Sequence, residues 1–361
     1  MEFEIVKSLA PSESFPRISE GAFLYSCGKL VFMISRFTGD SDDASTSDIV
    51  RMESDDDGAT WSEPKTVLTA RGNYNTGNIM SVSLMTMQNG DLGCFYIVKQ
   101  TPTVNRIMLS RSKDGGKTFY SHTECTLSER AGYYVLNNDR AERLSSGRIL
   151  LPLAYHRGGY GGAAGGVYFE GRAFVCFLIS DDDGCTWHES ADIVFPPFTR
   201  TCSGLQEPGC VELDNGVLMG YARTDKMVQY EFFSYDGGEH WTVAEPSCFS
   251  SPCSPMKIKR RPGTKELYAI WNPIPCYNGR DVGWGWDRSP ISVAISRDNA
   301  VNWTAPDKIE GEPHHGYCYP SIYFTHDGCL ITSYCAGGDG DPSILARTNI
   351  TKIKLDREDK I

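Results

Sequence analysis

Four aspartates fall within ten residues in the segment Gly39–Asp48 of this 361-residue chain. Like charges at that density predict a raised pKa for at least one of the carboxyl groups, and a proton donor that works near neutral pH requires such a shift. Asp43 is the preferred candidate and Asp42 the next. A solvated acidic loop without a catalytic role is the alternative.

Arginines supply a second kind of chemistry. Arg17, Arg223 and Arg288 each stand at the start or end of a predicted strand, in three different parts of the chain. Guanidinium groups make bidentate, charge-assisted bonds, so three of them can hold a planar anion from several sides. Ordinary surface arginines are the alternative. The reserve candidates are Arg36, Arg140 and Arg261.

The elements that must position these residues follow from a repeated string. Its five copies are Ser54–Trp61, Ser112–Phe119, Ser180–Trp187, Ser234–Trp241 and the less regular Ser296–Trp303. The pattern Ser-x-Asp-x-Gly-x-Thr-Trp predicts a tight turn in which the aspartate caps backbone N–H groups and glycine takes a positive φ. We expect the aromatic ring to pack beneath the turn.

The spacing of the copies indicates a repeat architecture. Their third-position aspartates lie 58, 68, 54 and 62 residues apart, and the mean of 60.5 divides the chain into about six units. Each unit also contains two apolar runs around a glycine turn, for example Asn89–Gly90, which is a hairpin signal. No long helical pattern competes.

These units predict an all-β fold, namely a six-bladed β-propeller with an Asp turn in nearly every blade. We expect residues 1–361 to form one domain, with a strand at Phe3–Val6 completing the last blade. Because the Asp turns recur whereas an active site needs each group once, they are interpreted as scaffold on the outer rim.

Composition excludes several functions. The net charge of −11 argues against nucleic-acid binding, and no apolar run approaches a membrane span. The 13 cysteines lack C-x-x-C pairs, so reduced thiols are expected rather than a zinc site. The segment Met1–Lys7 lacks the regions of a secretory signal, which favours a cytoplasmic protein, or a secreted one if a signal was removed. The oligomeric state is left open.

With its five Asp turns and several single-copy motifs, the chain resembles the sialidase (neuraminidase) superfamily, and in particular bacterial sialidase-like proteins with BNR or Asp-box repeats. The most specific stretch is Glu207–Arg223. The motif Phe15–Ser19 resembles the family's Arg-Ile-Pro motif, with serine in place of proline. The stretch Tyr317–Ile322 resembles the family's Tyr-Ser-x-Leu, with an additional proline.

The resemblance implies a tyrosine nucleophile paired with a glutamate, here Tyr319 and Glu207, with Tyr317 as the rival nucleophile. A neutral phenol suits an anionic sugar, because a carboxylate nucleophile would be repelled by the substrate's own carboxylate. A packing role for either tyrosine is the alternative.

The resemblance assigns substrate binding to Arg17, Arg223 and Arg288, with Arg36 in reserve, and the acid/base role to Asp43 or Asp42. His156 and the glycine-rich loop at residues 158–166 are expected to shape the rim of the pocket.

The function implied is a retaining exo-α-sialidase-like glycoside hydrolase that acts on a sialylated or other acidic-sugar glycan, without metal or cofactor. Two alternatives remain open at this point. One is a non-catalytic carbohydrate-binding propeller. The other is a hydrolase of a different acidic sugar, such as Kdn, Kdo or a uronate.

Overall fold

The computed structural model describes residues 1–160, 166–274 and 287–355, and its regular elements are almost entirely β-strands. One short helix, α1 (Ala70–Tyr74), and one 3₁₀ turn, Ser128–Arg130, accompany them. No helix in these ranges is long and apolar enough to cross a membrane. The fold is all-β, as the sequence predicts.

The strands are, in chain order, β1 (Glu2–Leu9), β2 (Arg17–Ser26), β3 (Lys29–Thr38), β4 (Thr46–Ser54), β5 (Lys65–Leu68), β6 (Asn78–Thr86), β7 (Leu92–Thr101), β8 (Val104–Ser112), β9 (Ser121–Glu124), β10 (Tyr133–Val135), β11 (Glu142–Arg143), β12 (Ile149–Tyr160), β13 (Val167–Ser180), β14 (His188–Glu189), β15 (Gln206–Glu212), β16 (Leu218–Arg223), β17 (Val228–Ser234), β18 (Glu245–Ser250), β19 (Lys257–Arg260), β20 (Leu267–Trp271), β21 (Ile291–Ser296), β22 (Asp307–Glu310), β23 (Cys318–Phe324), β24 (Leu330–Cys335) and β25 (Thr348–Lys354).

Consecutive strands pair into small antiparallel sheets. Three sheets are β10–β14, β15–β18 and β19–β22, and a fourth joins β23, β24 and β25 to β1. The fifth sheet runs from β2 to β9, and the strand pairing between its halves, β2–β5 and β6–β9, consists of one parallel pair, Ser47 and Asn78. Contacts run around the ring from β2 to β6, from β8 to β10, from β12 to β15, from β15 to β19 and from β19 to β23, and β23 returns to β2. The sheets therefore form a closed, propeller-like ring.

The first strand of the chain completes the last sheet. Phe3 lies opposite Ile353 in the antiparallel pairing of β1 with β25. This confirms the sequence prediction of an N-terminal strand at that place, and it ties the two ends of the described chain together.

Apolar clusters fill the spaces between successive groups of strands around the ring. One of them joins Val31 of β3 to Ile79 of β6, and another joins Leu30 of β3 to Ile331 of β24 across the ring closure. Because both faces of each sheet are covered in this way, most strands are apolar on both sides rather than alternating.

The Asp turns have the geometry that the sequence predicts. Oδ1 of Asp56 accepts bonds from the Ser54 hydroxyl (2.7 Å) and the Thr60 backbone N–H (2.8 Å). Gly58 has φ +87°, and the Trp61 indole donates to its carbonyl at 3.0 Å. Each copy connects the third strand of its group to the fourth, so these turns lie away from the leading strands that face the centre of the ring.

Candidate active site

A cavity of about 430 Å³ opens among the leading strands of several sheets. Its lining is mostly polar and aromatic: Glu20, Asp43, Met80, Ser81, Ile97, Lys99, Asn105, Tyr133, Val135, Asn137, His156, Phe169, Gln206, Glu207, Arg223, Arg288, Tyr319 and Leu345. Six of the residues proposed from the sequence lie in this set.

A repeated backbone irregularity places side chains in the cavity. Glu20, Ser81, Glu207 and Tyr319 each sit in a β-bulge of a leading strand, and each has a positive φ, between +49° and +66°. Non-glycine residues rarely adopt this conformation, and such strain concentrates at functional sites. All four residues line the cavity.

Tyr319 and Glu207 are hydrogen-bonded to each other at the wall of the cavity. The Tyr319 hydroxyl donates a hydrogen bond of 2.8 Å to Oε1 of Glu207, and Arg223 Nη1 donates to Oε2 of the same carboxylate at 2.6 Å. Burial and the neighbouring Glu207 charge raise the pKa of Tyr319 well above its ordinary value. Burial opposes ionisation of Glu207, but Arg223 outweighs it and holds the pKa of this carboxyl below its ordinary value.

Arg223 and Arg288 present their side chains to the cavity. Arg223 ends β16 directly opposite Gln206 of β15, which brings it beside Glu207. The backbone carbonyl of Arg288 accepts hydrogen bonds from the Tyr317 N–H at 2.8 Å and from the Asn272 side chain at 3.0 Å.

Arg17 is fully buried and is not among the cavity-lining residues. Its guanidinium donates to Oε1 of Glu20 at 2.5 Å, to Oδ1 of Asp43 at 2.6 Å and to the Ser19 hydroxyl at 2.8 Å. Of the three arginines that the sequence proposes for binding an anion, Arg223 and Arg288 line the cavity, whereas Arg17 lies behind two carboxylates.

Asp43 reaches the cavity from the acidic loop, and its side chain is 61% exposed. The Asn78 side chain holds the loop by donating to the backbone carbonyl of Asp43 at 3.2 Å, and Lys99 donates to the same carbonyl. Partial desolvation by the surrounding protein opposes ionisation of the carboxyl, but the charges of Arg17 and Lys99 outweigh it and lower its pKa. The expectation of a raised pKa is wrong for Asp43, because cations rather than carboxylates are its nearest charged neighbours.

Three of the other sequence candidates lie outside the cavity. Asp42 is exposed and accepts the Ala44 N–H at 2.7 Å, so it caps the loop. Arg36 lies over the Phe15 ring and donates to Thr66 at 2.9 Å. The buried hydroxyl of Tyr317 accepts the Glu312 N–H at 3.0 Å.

The remaining reserve arginines have partners elsewhere. Arg140 is buried and donates to the Met256 carbonyl at 2.6 Å, while Arg261 pairs with Glu266 at 3.1 Å. Neither is a lining residue of the cavity.

His156 lines the cavity. Its ring stacks on Phe169, and its Nδ1 lies 3.1 Å from the carbonyl of Glu170. Burial lowers its pKa. Residues 161–165 of the glycine-rich loop lie outside the described residues. Within the described ranges, no cluster of three or more His, Cys, Asp or Glu side chains is placed to hold a metal ion.

Sequence reasoning missed Glu20 and Ser81. The signal was available in the repeats: Ser81, Glu207 and Tyr319 each precede the hairpin glycine of their unit by nine residues, and Glu20 precedes Gly28 by eight. Aligning the units on these glycines would have placed Ser81, Glu207 and Tyr319 at one position, with Glu20 one residue away from it.

Comparison with known proteins agrees with this fold. Sialidase-3 of Mus musculus is 29% identical over 147 residues, which cover 38% of this chain and only 30% of the mouse protein. The NanB sialidase from Streptococcus pneumoniae superimposes with a TM-score of 0.70 at 14% identity, over 98% of this chain and 70% of that one. The intramolecular trans-sialidase from Ruminococcus gnavus gives 0.71 at 14% identity, over 97% of both chains.

The protein therefore has an all-β, propeller-like fold, and the solved structures that share this fold include sialidases. Residues 28–331 match the BNR repeat-like domain, and the chain belongs to that family.

Proposed function

We propose that this chain is a retaining exo-α-sialidase-like glycoside hydrolase that removes a terminal sialic acid or related acidic sugar from a glycan. The observation that carries the proposal is the 2.8 Å hydrogen bond between Tyr319 and Glu207 at a cavity that Arg223, Arg288 and Asp43 also line. A nucleophile, its proton acceptor, an anion-binding pair and an acid are thereby within one site.

In the first step, the Tyr319 oxygen attacks the anomeric carbon while Glu207 accepts the phenol proton. The bond from the anomeric carbon to the glycosidic oxygen breaks, and Asp43 in its protonated form donates a proton to the departing oxygen. In the second step, Asp43 accepts a proton from the attacking water. The Tyr319 oxygen leaves and recovers its proton from Glu207, so two displacements retain the anomeric configuration.

Substrate binding would make Glu207 a better proton acceptor for Tyr319. Glu207 shares its carboxylate between Arg223 and Tyr319. A sugar carboxylate bound to Arg223 competes for that guanidinium, which weakens its hold on Glu207 and makes the glutamate a stronger base. Attack by the phenol then becomes coupled to the presence of an acidic sugar.

A non-catalytic carbohydrate-binding propeller is the second candidate. The observation that favours it is the ion pair of Asp43 with Arg17, which stabilises the ionised carboxylate and so opposes its use as an acid. A third candidate, cleavage of Kdn, Kdo or a uronate, shares the same anion-binding pair and differs only in the sugar accepted.

Aryl glycosides of N-acetylneuraminate, N-glycolylneuraminate, Kdn, Kdo and glucuronate test these candidates by release of the aglycone. We expect release from at least one of them, and its loss in Tyr319→Phe. Binding of the sugars without release by the wild-type protein would contradict the hydrolase and support the binding propeller.

We also infer that the propeller has six blades. In the eight-stranded sheet, the strand pairing between β4 and β6 is the single residue pair Ser47 and Asn78, and dividing the sheet there yields six groups of about four strands. Six apolar clusters, each between consecutive groups, support this division. A crystal structure with any other number of blades would overturn it.

A further inference from the structure

Glu20 is a buried carboxylate at the cavity that neither the sequence motifs nor the proposed mechanism uses. It is 4% exposed and has φ +66° in the bulge of β2. Tyr319 and Glu207 occupy the same bulge position of β23 and β15. Glu20 therefore stands where two other sheets present their proposed catalytic side chains.

Both oxygens of Glu20 have protein partners. Oε1 accepts from Arg17 at 2.5 Å, and Oε2 accepts from the Ser81 hydroxyl. A carboxylate has about four lone-pair sites, so each oxygen can accept one further hydrogen bond. The face of Glu20 that lines the cavity is thus an acceptor, and it carries a negative charge when ionised.

Arg17 has few N–H groups free to bind a ligand. Its Nε donates to Ser19, and its Nη1 donates to both Asp43 and the Ser41 carbonyl at 3.2 Å, in addition to the Nη2 bond to Glu20. Four of the five guanidinium N–H groups are therefore engaged by the protein. A substrate carboxylate could bind Arg17 in a bidentate manner only by displacing Glu20 or Asp43.

We propose that Glu20 is a specificity-determining residue that withholds Arg17 from the substrate. An acidic sugar is then held through its carboxylate by Arg223 and Arg288 alone, and Glu20 accepts a hydrogen bond from a hydroxyl or amino group of the same sugar. The substrate class is an acidic sugar with such a donor close to its carboxylate. This inference rests on the proposed function for the identity of the site.

The charges of the side chains support separate binding roles for Glu20 and for the two arginines. A second carboxylate brought against Glu20 would meet like charge in a partly buried site, which is unfavourable. A hydroxyl or ammonium group at that place would instead satisfy the open lone pairs of Glu20. Arg223 uses its Nε for Cys253 and its Nη1 for Glu207, which leaves three of its five N–H groups for the anion, and Arg288 lines the same cavity.

The test is calorimetric binding of 2,3-unsaturated N-acetylneuraminic acid, with its methyl ester as the uncharged control. Glu20→Ser should bind the acid about tenfold more tightly than the wild type, because Arg17 gains a free face. The ester should show no such gain. Glu20→Gln keeps the side-chain shape and should gain in the same direction if the serine variant does not fold.

The double variant Glu20→Ser with Arg17→Lys should lose the gain, which ties it to Arg17. In the wild-type background, Arg17→Lys should cost much less affinity than Arg223→Lys. The proposal is overturned if both folded Glu20 variants bind the acid no more tightly than the wild type, or if Arg17→Lys costs as much as Arg223→Lys.

Failure of the proposed function gives a different result. If the wild type releases no aglycone from any glycoside but Glu20→Ser gains affinity through Arg17, the specificity role stands and the hydrolase proposal falls. If turnover depends on Tyr319 while Arg17 and Arg223 contribute equally to binding, the hydrolase proposal stands and the specificity role of Glu20 falls.

Discussion

The Tyr319 hydroxyl and Oε1 of Glu207 lie 2.8 Å apart although 112 residues separate them in the chain. Both residues occupy β-bulges with positive φ in the leading strands of their sheets. The ring arrangement brings those strands to a common centre, and the bulges turn the two side chains into one cavity. A phenol whose pKa is raised by burial is a weak nucleophile, so its proposed attack depends on this carboxylate.

Arg223→Ala should lower kcat/KM for an acidic aryl glycoside by about tenfold or more, because one charge-assisted contact with an anion contributes about 1.5–3 kcal/mol. Arg36→Ala is the matched control, since Arg36 packs on Phe15 outside the cavity. Rates of aglycone release and circular dichroism of both variants check this. Equal losses in the two variants would contradict an anion-binding role for Arg223.

Asp43→Asn should damage the cleavage of substrates with poor leaving groups far more than that of aryl glycosides, which leave with little protonation. Asp42→Asn should have a small effect on both, because Asp42 caps its own loop and faces solvent. The ratio of kcat/KM for a disaccharide and an aryl glycoside is the measurement. An unchanged ratio in Asp43→Asn would move the acid role to another residue.

The lowered pKa of Asp43 predicts a pH profile. Arg17 and Lys99 stabilise the ionised carboxylate, so the protonated fraction that can act as an acid falls as the pH rises through and beyond this pKa. For a substrate with a poor leaving group, kcat/KM should therefore rise as the medium is acidified from neutral pH, by up to about tenfold per pH unit. Aryl glycosides should show a flatter profile. A maximum above neutral pH for both substrates would exclude Asp43 as the acid.

Gly58 and Gly90 have nearly the same φ but differ in the space available for a Cβ, so the cost of backbone strain can be measured apart from the cost of crowding. Gly58 and Gly90 have φ of +87° and +85°, but a Cβ at Gly58 would lie 2.5 Å from Cδ1 of the buried Ile331, whereas a Cβ at Gly90 would contact nothing within 4 Å. Gly90→Ala should reduce the free energy of unfolding by about 1 kcal/mol through the left-handed φ. Gly58→Ala should lose about 1–3 kcal/mol more through overpacking.

Denaturant titration of the two variants measures this difference. Equal losses of unfolding free energy would show that Ile331 moves aside without a free-energy cost. Crowding would then not explain why the Asp turns require glycine.

The features that the sequence predicts well are set by local chemistry. The Asp turn at Ser54–Trp61 needs only its own side chains and a glycine, and the closing strand is an apolar run at the chain start. The pairing of Tyr319 with Glu207 can be predicted from the family resemblance, because each motif has a known place in the propeller of that family.

The features that the sequence does not reveal depend on contacts between distant segments. Whether Asp43 has a raised or a lowered pKa depends on Arg17 and Lys99, which only the folded ring brings beside it. Arg17 matched a binding motif, yet Glu20, three residues further along, engages its guanidinium. Only the bulge of β2 gives Glu20 that position, and no single-residue pattern encodes it.

The most direct test of the central claim is to trap the proposed intermediate. A 2,3-difluorinated sialic acid slows the second step of a retaining mechanism, and intact and peptide mass spectrometry then locate any adduct. We expect one sugar bound covalently to the peptide that contains Tyr319, and no adduct in Tyr319→Phe. The reaction should be much slower in Glu207→Gln. An adduct on Tyr317, or turnover at the wild-type rate by Tyr319→Phe, would contradict the proposed role of Tyr319.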